Sequence, residues 1–288
     1  MTRREFLASS TGLLLMPNFA FSQSEDFFKG KAIFQKVLDL AHSENWHTLP
    51  MGELVGIVGK QFLGTPYVGQ TFELFDDREV CVINLEGLDC ATFYEASLAI
   101  ARTIKVRRPT QSELTKQITR IRYRSGKMNG YLSRLHYACD YFYDNELKGI
   151  LNVVTDDLPG AQLFPHKVSY MSSHPDQYRQ LKSNPILVPA MAKQESEINA
   201  RKTFFLPKEK VAENEVLLKT GDILGLSTTR EGLDVSHTGL CYRDEEGTLR
   251  FMHASSVKKE VILDVRLSEY LARAKINDGI LVARPLEI

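Results

Sequence analysis

Residues 88–95 read Leu88-Asp89-Cys90-Ala91-Thr92-Phe93-Tyr94-Glu95, and they stand between two patterns of different period. Before them lies a β-like run, Val80-Cys81-Val82-Ile83-Asn84-Leu85, followed by a Gly87 turn. After them Phe93, Ala96, Ser97, Ile100, Ala101 and Ile104 recur at i, i+3, i+4 spacing, the signature of one apolar helix face. Asp89 is a favoured N-cap residue just ahead of that pattern, which starts the helix at Cys90. Thr92 and Glu95 form a competing capping box that would start it later. With the Asp89 start, Cys90 meets the unpaired N–H groups and the positive end of the helix dipole. Both favour a thiolate, the reactive form of cysteine. The alternative for a lone cysteine is a small buried core residue.

Working outward from the C-terminal side, the helix continues to about Val106, with Pro109 as a stop signal. Ser112 to Arg124 has helical periodicity and ends in the segment Arg120-Ile121-Arg122-Tyr123-Arg124-Ser125-Gly126. Tyr131 to Asn145 reads as an aromatic helix carrying Arg134-Leu135-His136-Tyr137. Such residues serve either as a packed helix with snorkelling arginines or as a wall that binds sugar or carboxylate groups. From Leu151 to Lys219 the pattern is weak apart from a short polar helix, Ala192 to Arg201, and the stretch reads as an insertion over the site. The last seventy residues are mostly β: a strand from Asp222 to Leu226, then a hairpin turning at Asp244-Glu245-Glu246-Gly247, another strand at Glu260 to Val265, a helix at Ser268 to Ala274 and a closing strand at Gly279 to Arg284. On the N-terminal side, Phe28 to Ser43 and a segment from Pro50 to Gly64 read as helices, and Gly64-Thr65-Pro66-Tyr67-Val68-Gly69 as a turn. Helices first and an antiparallel meander last point to an α+β fold.

His237 and His253 lie on the two arms of that hairpin, each about eight residues from its turn. This makes them near cross-strand partners. With Cys90 they supply a nucleophile, a base and an orienting group, the set a cysteine hydrolase needs. His237 would take the thiol proton, His253 would hold its tautomer, and main-chain N–H groups at Cys90 would receive the oxyanion. Zinc held by Cys90, His237 and His253 is allowed by ligand type, but no fourth ligand stands out. The expected chemistry is therefore free of metal and cofactor. The motifs G-x-S-x-G, H-E-x-x-H, G-x-G-x-x-G and the P-loop are absent.

The 288 residues are 43% hydrophobic and 25% charged with zero formal net charge, enough for a full core and without the basic stripe that nucleic acid requires. At the N-terminus, Thr2-Arg3-Arg4-Glu5-Phe6-Leu7 precedes an apolar run from Ala8 to Met16, then Pro17 and Ala20-Phe21-Ser22. This resembles a twin-arginine export signal, residues 1–22, ahead of a single catalytic domain at 23–288 in the periplasm. No later segment approaches the ~20 apolar residues of a membrane span. Cys81, Cys90, Cys139 and Cys241 include no C-x-x-C pair, and export of an already folded chain argues against an essential disulfide. Cys81, Cys139 and Cys241 read as core residues.

Seven motifs then occur in order: Thr65-Pro66-Tyr67-Val68, Leu88-Asp89-Cys90, Arg122-Tyr123-Arg124-Ser125-Gly126, Arg134-Leu135-His136-Tyr137, Gly221-Asp222, Gly232-Leu233-Asp234-Val235-Ser236-His237-Thr238-Gly239 and Met252-His253-Ala254-Ser255-Ser256. Over about residues 45 to 285 the chain resembles the N-acetylmuramoyl-L-alanine amidase-like family of the NlpC-type, papain-like cysteine peptidase superfamily. The resemblance implies a papain-like α+β core with helical insertions, the cysteine helix packed on an antiparallel sheet. It also implies Cys90 as nucleophile, His237 as base, His253 as third member, and a peptidoglycan or muropeptide substrate. Tyr67 matches the tyrosine of the superfamily's Pro-Tyr motif. Cys90 follows Tyr67 by twenty-three positions, more than the usual spacing, so an insertion reshapes that rim. Ala91 stands where the peptide-cutting relatives commonly carry serine. The expected activity is cleavage of the muramic acid lactyl–L-alanine amide through a thioester, with Tyr67, Tyr123, Arg134, His136 and Tyr137 as substrate-binding candidates. The alternatives are a γ-D-glutamyl-diaminopimelate endopeptidase and a non-catalytic wall-binding module.

Overall fold

A computed structural model describes residues 27–106 and 108–288; the expected export signal lies outside them. In chain order the regular elements are β1 (Phe28–Lys29), α1 (Lys31–Ser43), α2 (Met51–Lys60), β2 (Ile83–Asn84), α3 (Cys90–Lys105), α4 (Gln111–Arg122), α5 (Ala138–Leu147), β3 (Leu151–Val153), β4 (Gln162–Leu163), α6 (Tyr170–Ser173), α7 (Arg179–Ser183), α8 (Val188–Asn199), β5 (Phe204–Pro207), α9 (Lys208–Asn214), β6 (Ile223–Thr228), β7 (Val235–Arg243), β8 (Leu249–Ser255), β9 (Glu260–Arg266), α10 (Leu267–Arg273) and β10 (Asn277–Pro285). The chain is α+β: helices dominate its first half, and an antiparallel sheet ordered β4-β5-β10-β6-β7-β8-β9, with β3 also on β10, dominates the second.

Alternation along the strands divides the core in two. Ile223, Leu240, Met252 and Ala254 face the helical layer with Phe93 and Leu98 of α3. Leu224, Leu226, Cys241 and Phe251 face the other way, onto Leu267 and Leu271 of α10. Helix α3 is buried at every position from Thr92 to Ile104, between α2, α4 and the sheet. Its buried hydroxyls are satisfied within the helix, Ser97 donating to the Phe93 carbonyl and Thr103 to that of Ala99, each at 2.8 Å. Its buried Glu95 pairs at 2.9 Å with Arg122 at the end of α4.

Three expectations need correction. The run from Val80 to Leu85 forms no strand of the main sheet; only Ile83–Asn84 is regular, paired in parallel with β1. Cys81, expected inside the core, is half-buried and packs against its edge. The expected helix from Tyr131 to Asn145 is broken: a 3₁₀ turn at Tyr131–Ser133 is followed by extended backbone at Arg134 and Tyr137, and α5 begins only at Ala138. The backbone N–H of Cys139, in the first turn of α5, donates to Asp234 Oδ2 at 2.8 Å, so a carboxylate from a distant loop secures that helix start.

Candidate active site

Asp89 starts α3 in the way its residue type allows. Its Oδ1 accepts from the N–H groups of Ala91 at 3.1 Å and Thr92 at 2.8 Å, while Thr92 Oγ1 accepts from the Asp89 N–H at 2.8 Å. The capping box is therefore Asp89 with Thr92, and the competing Thr92–Glu95 box is not formed. Cys90 occupies the first helical position, and its own N–H is one of the unpaired donors of the helix start. Ahead of it, Leu88 pairs with the Pro66-Tyr67-Val68 segment through bonds from the Leu88 N–H to the Pro66 carbonyl and from the Val68 N–H to the Leu88 carbonyl, both 3.0 Å. Tyr67 is thereby held near Cys90; burial first, and then the charges of Cys90 and Asp89, push its phenol up to about 12.

The two histidines meet, though not as direct partners. Leu240 is opposite Met252, a register that sets Gly239 opposite His253 and leaves His237 two residues further along the same face. The contact is diagonal: His237 Nε2 lies 2.7 Å from His253 Nδ1, with the rings nearly perpendicular. Gly239 permits it. A Cβ built there would stand 2.6 Å from the Met252 carbonyl oxygen and 2.9 Å from His253 Cβ. His253 is 2% exposed, stacked on Phe251 at 4.4 Å, and its Nε2 lies 3.3 Å from Asp264 Oδ2.

Cys90 and His237 open into one cavity of about 280 Å³. Its walls also include Ala91, Tyr94 and Glu95 of α3, the Arg134–Ala138 segment, Leu233 to Thr238, and Phe72, Glu73, Met171 and Tyr178. Beside it, sharing Phe72, Glu73, Arg134 and Tyr178, lies a broader cleft of about 830 Å³. Burial, then the Asp89 carboxylate, pushes the Cys90 thiol up to about 11. Burial, then His253, brings His237 down to about 3. Both shifts favour the neutral forms of a pair that lines one cavity, a thiol and an imidazole, and for the thiol desolvation opposes the anion that the helix start favours. Such a pair can act by general-base deprotonation of the thiol. Among the described residues, no cluster of three or more histidine, cysteine or acidic side chains could hold a metal ion.

The binding candidates separate. Arg134, His136 and Tyr137 line the cavity because the chain is extended there, bringing successive residues to the wall. Arg134 is held by Glu73 at 2.8 Å and the His136 ring by Tyr131, while the Tyr137 hydroxyl donates to Glu195 at 2.6 Å. Tyr67 stands close to Cys90 but outside the cavity wall. Tyr123 is wholly buried, its hydroxyl donating to Glu79 at 2.9 Å, and does not reach the cavity. Its basic neighbours are held in ion pairs, Arg122 with Glu95 at the cavity wall and Arg124 with Asp140. Gly221-Asp222 is structural as well, with Asp222 buried against Arg284 at 2.7 Å. Sequence reasoning missed Phe72 and Glu73, from the long segment after Tyr67, and Asp264. The unusual Tyr67–Cys90 spacing was the one signal for the first two. The stretch between 151 and 219 does reach over the site, through Met171 and Tyr178.

The family described as AmiA-like, N-acetylmuramoyl-L-alanine amidase-like, matches residues 57–280. The curated proteins yielded no match. Among solved structures, an N-acetylmuramoyl-L-alanine amidase from Bacteroides uniformis is 36% identical with a TM-score of 0.76, over 82% of this chain and 99% of its own. A Bacteroides fragilis protein proposed to be a xylanase is 37% identical with a TM-score of 0.72, over 79% of this chain and 99% of its own. A Legionella pneumophila protein at 19% identity and TM-score 0.66, covering 89% of this chain and 95% of its own, shares the fold.

Proposed function

Because the chain belongs to the AmiA-like, N-acetylmuramoyl-L-alanine amidase-like family, we propose that it is a peptidoglycan hydrolase that cuts the amide between the lactyl group of muramic acid and L-alanine, with Cys90 as nucleophile, His237 as base and His253 as orienting residue. The observation that carries this reading is the convergence of a helix-start cysteine and His237 on one cavity, with His253 hydrogen-bonded behind His237.

His237 Nε2 is occupied by His253, so Nδ1 is the nitrogen left to act on the thiol. As Sγ attacks the lactyl carbonyl carbon, His237 takes the thiol proton. The carbonyl oxygen becomes an oxyanion that the Cys90 N–H can receive. Collapse breaks the C–N bond, His237 gives its proton to the leaving L-alanine nitrogen, and a thioester remains on Cys90. A water molecule, deprotonated by His237, attacks the thioester. The lactyl carboxylate departs and the thiol is restored. His136, Phe72 and Tyr178 offer faces for a saccharide, and Arg134 a donor for a carboxylate.

Glycosidic cleavage, the activity proposed for the Bacteroides fragilis relative, finds less support. It requires two carboxyl groups free to serve as acid and as base or nucleophile. The cavity's Glu95 is paired with Arg122, Asp234 accepts from the Cys139 and Val235 N–H groups, and Glu73 is held by Arg134 and Tyr131. The γ-D-glutamyl-diaminopimelate endopeptidase alternative would use the same three residues, so the bond cut is what distinguishes it. Mass spectrometry of products from a defined muramyl peptide is the test. The amidase releases a complete stem peptide beginning with L-alanine and a saccharide with a free lactyl carboxylate. L-Ala-γ-D-Glu still joined to the sugar would falsify the amidase reading and favour the endopeptidase. The Arg3-Arg4 pair supports folded export to the periplasm by the twin-arginine machinery. Replacing both with lysine should keep the protein in the cytoplasm, and unchanged periplasmic amounts would refute export by that route.

A further inference from the structure

His237 can serve as a base toward Cys90 only while its Nδ1 carries a lone pair. One proton lies between His237 Nε2 and His253 Nδ1, 2.7 Å apart. If that proton sits on His237 Nε2, the neutral ring has its lone pair on Nδ1 and is competent. If it sits on His253 Nδ1, neutral His237 carries its own proton on Nδ1 and cannot accept another. The pair by itself allows both arrangements, because each imidazole nitrogen can donate or accept.

The far side of His253 breaks that symmetry. Its Nε2 lies 3.3 Å from Asp264 Oδ2, and an ionised carboxylate can only accept. A proton on His253 Nε2 satisfies Asp264, leaves Nδ1 as an acceptor and places the shared proton on His237 Nε2. We propose that Asp264 is a positioning residue that selects the base-competent tautomer of His237 by way of His253, an inference that rests on the assignment of Cys90 and His237 above.

The fold supports Asp264 in that place. Between β8 and β9 the pairing slips by one residue, from Met252 opposite Leu263 to Arg250 opposite Arg266, so Asp264 and Val265 together stand opposite Phe251. A bulge of this kind re-aims a side chain, and bulges concentrate beside active sites. Asp264 Oδ1 accepts from the Val265 N–H at 2.7 Å, leaving Oδ2 toward the imidazole. Phe251 stacks on His253 with 15° between the rings, and Tyr270 of α10 packs edge-on at 5.3 Å, so the ring is confined between aromatic faces. The titratable groups around His253 are His237, Asp264 and Tyr270, and Tyr270 in turn feels the charge of Cys90. Burial keeps His253 below its ordinary range despite the pull of Asp264, so the relay works between neutral rings.

The test is nitrogen NMR of the full chain labelled with ¹⁵N-histidine, comparing the parent with Asp264→Asn and Asp264→Ala, each also in a Cys90→Ala background. The parent should show His237 protonated at Nε2 and bare at Nδ1. Asparagine keeps the shape but can donate as well as accept, so Asp264→Asn should give a mixture of tautomers. Asp264→Ala should do the same, and the asparagine isostere stands in for it if the alanine variant fails to fold by circular dichroism. With Cys90 present, kcat should fall on the order of ten- to a hundredfold, the scale set by outer hydrogen-bond partners of metal-binding imidazoles, with KM little changed. An unaltered His237 tautomer in Asp264→Asn overturns the relay, whatever the rate. Activity surviving Cys90→Ala would instead refute the active-site assignment, and the tautomer measurement would still report on Asp264 by itself.

Discussion

Cys90 sits where two opposing influences on a thiol meet. The helix start favours the anion, whereas burial and the neighbouring Asp89 carboxylate disfavour it and hold the thiol at about 11. Alkylation by a small uncharged reagent should therefore climb steadily with pH through the neutral range, inflecting only near that value. A plateau already reached at neutral pH would mean a preformed thiolate–imidazolium pair. If His237, held neutral down to about 3, removes the proton during attack as proposed, turnover should not track this titration. Cys90→Ala should reduce kcat by about 10³-fold or more, as expected when a nucleophile is removed and only binding and the oxyanion site remain. Gly239 belongs at this scale too. Gly239→Ala would push a methyl group against the Met252 carbonyl and His253 Cβ. We expect a loss of about 1–3 kcal/mol in stability from overpacking, read by urea denaturation, together with a disproportionate loss of kcat as His253 is displaced. Unchanged kcat in that variant would mean that the diagonal histidine contact tolerates the shift.

At the scale of elements, α3 carries the candidate site and depends on its cap and on the buried Glu95–Arg122 ion pair. Asparagine caps about as well as aspartate, so Asp89→Asn should change stability by under about 1 kcal/mol, whereas Asp89→Ala should cost about 0.5–2 kcal/mol. The same asparagine removes the charge that raises the Cys90 thiol, so its alkylation inflection should move to lower pH. An inflection that stays in place would show desolvation to be the whole cause. Glu95→Ala strands the Arg122 guanidinium in the core beside α3, and removing one member of a buried pair costs about 3–5 kcal/mol. Replacing both partners with leucine and methionine should cost much less, and a thermodynamic cycle over the four proteins measures the difference.

In the whole molecule, His136, His237 and His253 all lie below the ordinary histidine range through burial. The unfolded chain therefore binds more protons than the native one below about pH 6.5, so their contribution is complete above that pH and drains away as pH falls toward the folded values, toward about 3 for His237. Asp89, Glu95 and Asp234, raised by burial, oppose this by favouring the native state in acid. Comparison of His237→Gln with the parent isolates one term: between pH 6.5 and 4 its stability should fall less steeply, by up to about 1.4 kcal/mol per pH unit, one proton's worth. Equal slopes in urea denaturation would place His237 at an ordinary pKa. The sequence by itself determined what local periodicity and residue chemistry control. The Asp89 cap, the apolar face of α3, the strand alternation of β6 to β10 and the turn between β7 and β8 are each dictated within a few residues, and the hairpin brought the two histidines onto one face. It did not determine what depends on contacts between distant segments. Tyr123 and Arg134 look alike in a string, each in a segment that mixes arginine with tyrosine, yet Glu79 holds the first in the core while extended backbone and Glu73 set the second in the cavity wall. The offset of the histidines, the bulge that presents Asp264 and the desolvation that keeps Cys90 protonated likewise arise only when strands register and helices close over them. The energies that decide these features are burial and long-range pairing, which no short window of sequence contains.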